Sequence, residues 1–239
     1  MRIRLGIEAK REIKKWVNEK TEQGFTALHY CAYRGNIDSI NKLIENDAEI
    51  EVTNRRGLNV LHMAAQGNQP NALVYFKEKY HMNIQSVDDL GSTPLHWACY
   101  TGSETAVMYL LSWPQSLNAQ DREGLSPLHL AVMSGKNFLN DKYLSTYNIT
   151  ERTRIIKKLL QKGADKKIKD NKGRTAFDLA ISKNKTCIID MLKDQQTFQL
   201  CVLKSPLEKT KKNNINIIMF FVMHIILEFF VIFILLPCM

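Results

Sequence analysis

Apolar positions along the first 200 residues come in short helical bursts, each led in by a glycine turn. An apolar or small residue followed by Leu-His occurs four times: Ala27-Leu28-His29, Val60-Leu61-His62, Pro94-Leu95-His96 and Pro127-Leu128-His129. The glycines that open these units, Gly24, Gly57, Gly91 and Gly124, lie 33, 34 and 33 residues apart, and a fifth unit opens at Gly173 with Thr175-Ala176-Phe177-Asp178. Each unit reads as a pair of helices. In the first, Gly35 breaks the leading helix, and Ile37, Ile40, Leu43 and Ile44 mark the apolar face of the second at i, i+3, i+4 spacing. Upstream, residues 9–20 pattern as an amphipathic helix through Ile13, Trp16 and Val17, predicting a capping helix within 1–23. A repeat of this length predicts a quasi-one-dimensional stack in which each unit buries its face on its neighbours.

The period near 33 with the start Thr93-Pro-Leu-His-Trp-Ala98 resembles the ankyrin-repeat family over about residues 10–198. The resemblance implies an all-α solenoid of about five repeats over 24–198, capped at its N-terminus, that recognises partners over an extended surface. In that family the histidines tie neighbouring turns together. Here they recur once per repeat, roughly 10 Å apart, too far to share a zinc ion bound at about 2.0 Å. Neither a metal nor a cofactor is expected.

Three units depart from the pattern. The second has a leading helix one residue short before Gly67, and Pro70 starts its second helix. The third carries Trp113-Pro114 where a Gly-Ala-Asp turn is usual. The fourth spans 49 residues to the next glycine, with the extra 16 near 136–150, and its pattern resumes at Ile155, Ile156, Leu159 and Leu160. That insertion carries Phe138, Leu139, Tyr143, Leu144 and Tyr147, and reads either as an accessory docking loop or as an excursion without function.

Composition changes sharply after residue 198. A basic linker over 199–214 holds Pro206, Lys204, Lys209, Lys211 and Lys212, and is followed by Ile215–Leu236, 22 residues of almost unbroken apolar character. As a helix that run is about 33 Å long, enough to cross a bilayer. The chain is thus expected to be an ankyrin solenoid followed by one C-terminal transmembrane helix. All 33 Lys and Arg precede the span, so the positive-inside rule turns the repeats to the cytosol and brings the linker lysines to membrane lipid. The net charge of +9 is accounted for in this way, and no helix-turn-helix, zinc-finger or RNA-binding motif argues for nucleic acid. Within the span, His224 and Glu228 share a helix face. They favour a partner helix over a lone helix that carries a protonated Glu228. Cys201, beside the linker, is either an acylation site or an idle thiol, and Cys31 and Cys99 read as small core residues. The sequons at Asn148 and Asn184 are expected to be bare in a cytosolic domain.

Two sets of residues are candidates for partner contact. Tyr30 and Tyr33 match Trp97 and Tyr100 in register, directly after the Leu-His and three residues later. They serve either as groove-facing anchors for a peptide or as packing between helices. The turn tips Arg55, Arg56, Asp88, Asp89 and Arg122 form the second edge, alongside Glu123 and Asn171-Lys172.

A narrower likeness joins Thr93-Pro-Leu-His-Trp-Ala98, Gly173-Arg-Thr-Ala-Phe-Asp-Leu-Ala180, the basic linker and the apolar span. In that order they resemble the N-terminal half of ankyrin-repeat palmitoyltransferases, multi-pass S-acyltransferases with an Asp-His-His-Cys motif. The resemblance implies substrate recruitment through a groove whose tryptophan falls on Trp97. The chain holds no Asp-His-His-Cys and no cysteine-rich region, so it is not expected to catalyse that reaction itself. The expected function is a membrane-tethered scaffold that binds protein or peptide. The alternatives are the recruiting part of such a transferase or the cytosolic part of an ankyrin-bearing channel.

Overall fold

The computed structural model describes residues 2–133 and 148–193. The described residues form eleven helices and no strand. These are α1 (Arg2–Val17), α2 (Ala27–Arg34), α3 (Ile37–Glu45), α4 (Val60–Gln66), α5 (Pro70–Tyr80), α6 (Pro94–Thr101), α7 (Glu104–Leu110), α8 (Pro127–Val132), α9 (Asn148–Gln161), α10 (Ala176–Ser182) and α11 (Thr186–Leu192). The leading helices α2, α4, α6, α8 and α10 stack in one row, and α3, α5, α7, α9 and α11 stack in a second. Residues 1–193 make one compact unit. The linker, Cys201, the 215–236 span, His224 and Glu228 lie outside the described residues, as does the insertion up to Tyr147. Among the described residues no helix is long and apolar enough to cross a membrane.

The Leu-His pairs explain why the leading helices start where they do. Leu28, Leu61, Leu95 and Leu128 are wholly buried between the two rows. Four residues on, Ala32, Ala65 and Cys99 are so small that adjacent helices approach closely, and all three are fully buried. Cys99 is therefore a core residue, its thiol pushed far up by burial. Each histidine stands at the third position of its helix, where its Nδ1 takes the backbone N–H of the residue before the helix: Thr26, Asn59, Thr93 or Ser126. This is a capping box with imidazole in the place of the usual carboxylate. The opposite nitrogen, Nε2, reaches a carbonyl of the next repeat in three of the four, Leu58 at 3.0 Å, Ser92 at 3.0 Å and Arg174 at 3.2 Å, while that of His96 reaches Ala119 at 3.0 Å, at the end of its own repeat. In the fifth unit Asp178 keeps only the first duty, accepting the Thr175 N–H at 2.8 Å and its hydroxyl at 2.7 Å.

The turns are built by a residue three before each glycine. Asn54, Asp88, Asp121 and Asp170 each accept two backbone N–H groups through Oδ1. Successive turns then join in a ladder: Arg55 N–H donates to Gln23, Asp89 to Arg56, Arg122 to Leu90 and Asn171 to Glu123.

Two features differ from expectation. The N-terminal helix runs from Arg2 to Val17 rather than over 9–20, and of its expected apolar face only Val17 packs on the core. Ile13 and Trp16 remain exposed. Just past its C-terminal end the helix is tied to the first repeat, where Asn18 donates to the Asp47 carbonyl and accepts the Glu49 N–H. In the fourth unit, α9 already begins at Asn148, so Asn148-Ile149-Thr150 belong to a helix rather than to the insertion.

Candidate recognition groove

Two side-chain rows recur along the leading helices, and both follow from the position of the histidine. The residue after it gives Tyr30, Met63, Trp97 and Leu130, and the residue three further on gives Tyr33, Gln66, Tyr100 and Met133. Between the third and fourth units these rows line a cavity of about 280 Å³. Trp97, Tyr100, Leu130 and Met133 form its apolar walls, with Arg56 and Glu123 from the turns at its rim.

Trp97 is only 7% exposed and is fixed from three sides. Its Nε1–H donates to Asp88 Oδ2 at 2.9 Å, Tyr100 meets it edge-on at 6.0 Å between ring centroids, and the Arg56 guanidinium lies 5.6 Å from the ring centre. The Arg56 contact places a cation on an aromatic face. The cavity's imidazole, His96, has both nitrogens engaged and is held below its ordinary pKa by burial. What converges here is an aromatic and aliphatic floor with charge of both signs at the lip, which is the chemistry of recognition.

The structure thus brings together Trp97, Tyr100 and Arg56 of the sequence candidates. Tyr30 stands in the first unit, 47% exposed, with Phe25 5.8 Å from its ring, and Tyr33 packs partly against the core. Arg55, Asp89 and Arg122 are exposed at the tips. Asp88 lies behind the tip rather than on it, because its two oxygens are spent on the turn and on Trp97. Leu130 and Met133 escape a reading of aromatic residues alone, although they carry the same register as Trp97 and Tyr100.

A family model for ankyrin repeats in three copies matches residues 28–121 and 61–148. The chain belongs to the ankyrin-repeat family. It is also 29% identical over 168 residues to palmitoyltransferase AKR1 of Lachancea kluyveri, covering 69% of this chain and 21% of that one. Putative palmitoyltransferase ZDHHC13 of Danio rerio is 28% identical over 149 residues, covering 62% and 21%. The human transient receptor potential cation channel subfamily A member 1 is 28% identical over 127 residues, covering 50% and 11%. The chain spans about a fifth of the length of the two transferases and about a tenth of the channel.

Within this ankyrin solenoid the wall behind the cavity has an unusual support. The fourth repeat's leading helix ends at Val132 with Met133 extended, instead of at a left-handed glycine like Gly35 or Gly102. The carbonyls left at that end are met by two cations, Arg152 from α9 and Lys185 from just before α11. Arg152, 3% exposed, donates to Ala131 at 3.2 Å, to Met133 at 2.9 Å and to Tyr100 at 3.1 Å. Lys185 donates to Val132 at 2.7 Å, and burial, with Arg152 and Lys183 nearby, lowers its pKa to about 8. Arg152 thereby holds both Tyr100 and Met133 by their backbones, joining the two repeats that wall the cavity.

Proposed function

We propose that this ankyrin protein is a membrane-tethered scaffold that binds an extended protein or peptide segment in the groove over Trp97 on the cytosolic face of a membrane. The observation that carries the reading is the apolar cavity between the third and fourth repeats, with Arg56 and Glu123 at its rim. An apolar side chain inserted on Trp97 and Tyr100 would bury the partner's anchor, and the rim charges would select polar flanks. Tyr30 and Tyr33 extend the same rows toward the N-terminus, and the exposed tips Arg55, Asp89 and Arg122 offer a second edge. The tether is Ile215–Leu236, with the linker lysines on its cytosolic side.

Selection of peptides from a displayed library on residues 1–193, followed by titration against Tyr100→Ala, tests the groove. The expected result is at least about a tenfold loss of affinity while the far-UV helical signal is retained. Peptides that bind Tyr100→Ala as tightly as wild type would refute it. The tether is tested on the full chain: it should resist alkaline extraction from membranes and leave the repeats open to added protease from the cytosolic side.

The similarity to palmitoyltransferases across 69% of the chain favours a second reading, in which the groove recruits substrates for S-acylation. Peptides selected on the groove should then come from acylated proteins and carry a cysteine outside the anchored stretch. Anchors without that association would leave the scaffold reading alone.

A further inference from the structure

Charge is divided unequally along the solenoid. Between Gly24 and Met133, seven Lys and Arg stand against eleven Asp and Glu, whereas between Arg152 and Lys193 the numbers are thirteen and four. Local pairing does not cancel the excess. Arg154 lies 3.4 Å from Glu104, Arg174 2.7 Å from Asp170 and Lys193 3.0 Å from Asp190. Lys157, Lys162, Lys167, Lys169 and Lys172 are exposed and make no ion pair with a described residue.

These lysines project from a fixed backbone. The Asp165 N–H donates to Asn118 at 2.9 Å, the Lys169 carbonyl accepts from Gln120 at 2.9 Å, and the Asn171 N–H donates to Glu123 at 3.0 Å. The segment is thus tied down along residues 118–123. No aromatic residue occurs between Lys157 and Lys172, so the stacking that holds single-stranded nucleic acid has no platform there. The same sign of charge continues in sequence through Lys204, Lys209, Lys211 and Lys212 to the apolar run at Ile215.

We propose that the lysine-bearing segment Lys157–Lys172 docks the solenoid on an anionic bilayer surface, its ligand being acidic phospholipid headgroups. This goes beyond the tether of the proposed function and rests on that reading for the choice of a membrane over another polyanion. Each lysine brought to such a surface strengthens attachment about fivefold, and the gain is confined to about a Debye length. Docking would fix the orientation of the groove relative to the membrane, which a tether alone leaves free.

Residues 1–193 contain the whole described core and lack the apolar run, so their sedimentation with vesicles reads the surface separately from the span. Wild type is expected to bind phosphatidylserine-containing vesicles in low salt, to leave them in high salt, and to ignore pure phosphatidylcholine. The variant K162E/K167E/K169E/K172E should lose at least about a hundredfold in partitioning, while K20E/K42E retains it. If the fourfold glutamate variant melts early, glutamine at the same positions replaces it. Equal binding to neutral and acidic vesicles overturns the proposal, as does binding to duplex RNA with none to vesicles. A full chain that resists alkaline extraction, combined with 1–193 that ignores acidic vesicles, keeps the tether and removes the docking surface. The converse pair of results does the opposite.

Discussion

His29 donates its Nε2–H to the Leu58 carbonyl at 3.0 Å, linking the leading helix of one repeat to the turn of the next. The same ring accepts the Thr26 backbone N–H at Nδ1, so it is a neutral imidazole in one tautomer. A proton on Nδ1 would turn that acceptor toward another N–H. Burial holds His29, His62, His96 and His129 below the ordinary value of 6.5, and takes His62 down to about 4. A folded-state pKa below the unfolded one means that the unfolded chain binds protons the folded chain refuses. Stability is therefore complete above about pH 6.5, falls as the pH is lowered toward 4, and levels off below. For His62 alone the loss amounts to about 3 kcal/mol. Urea midpoints measured between about pH 7.5 and 4.5 should fall steadily, and more gently in His62→Gln. A midpoint constant across that range would contradict the argument.

Gly57 and Gly173 share a left-handed φ of +73° but have different surroundings. A Cβ on Gly57 would lie 2.8 Å from the Asp89 backbone nitrogen, whereas one on Gly173 meets nothing within 4 Å. Alanine at either position carries the left-handed strain, about 1 kcal/mol. Only at Gly57 must it also push apart two turns joined by the hydrogen bond from Asp89 to Arg56. Gly173→Ala should cost about 1 kcal/mol in urea unfolding and Gly57→Ala about 3 kcal/mol. Equal losses would show that the turns give way freely.

Much of this was legible in the sequence because the stack repeats its chemistry. The Leu-His register gave the helix starts, and the family resemblance gave the histidine ties. Of the two cysteines read as small core residues, Cys99 is fully buried but Cys31 only partly so, because it lies one position earlier in its helix than Ala32, which takes the core place. Trp97 and Tyr100 stood out in the same register. Less visible was the support for their neighbours. Nothing in the spacing of Arg152 distinguishes it from a surface residue of a basic amphipathic helix, because its burial depends on where α8 stops. Asp88 was hidden for a related reason: turn tips and turn builders are adjacent polar residues, and only three-dimensional structure separates Asp88, which is enclosed, from the exposed Asp89.

Arg152 leads to a prediction about local stability. Replacing it with Met keeps an apolar stem but leaves the Ala131, Met133 and Tyr100 carbonyls without this donor. The expected cost is about 3 kcal/mol, since buried acceptors lose a charged partner. Lys at this position should recover only part, because one ammonium cannot match a planar fork directed at two helices. Hydrogen exchange should accelerate first in α8, α10 and α11, while α2 to α5 stay protected. Uniform acceleration across the solenoid would argue that Arg152 acts globally instead.

Support and contact can be separated at Trp97. Asp88 Oδ2 takes the indole N–H, while Oδ1 takes the backbone N–H groups of Leu90 and Ser92 at 2.9 and 2.8 Å. Trp97→Phe keeps an aromatic wall but drops one hydrogen bond to a buried carboxylate, which should cost about 1–2 kcal/mol. Asp88→Ala drops all three and should cost more, about 3 kcal/mol, with the two changes coupled by about 1 kcal/mol in a double-mutant cycle. A peptide that sits on the aromatic floor should bind Trp97→Phe within a fewfold of wild type but lose Tyr100→Ala, since Tyr100 is less enclosed and bears no such structural duty. If Asp88→Ala instead abolishes binding while its melting temperature holds, the carboxylate itself meets the ligand, and the tip rather than the floor is the recognition surface.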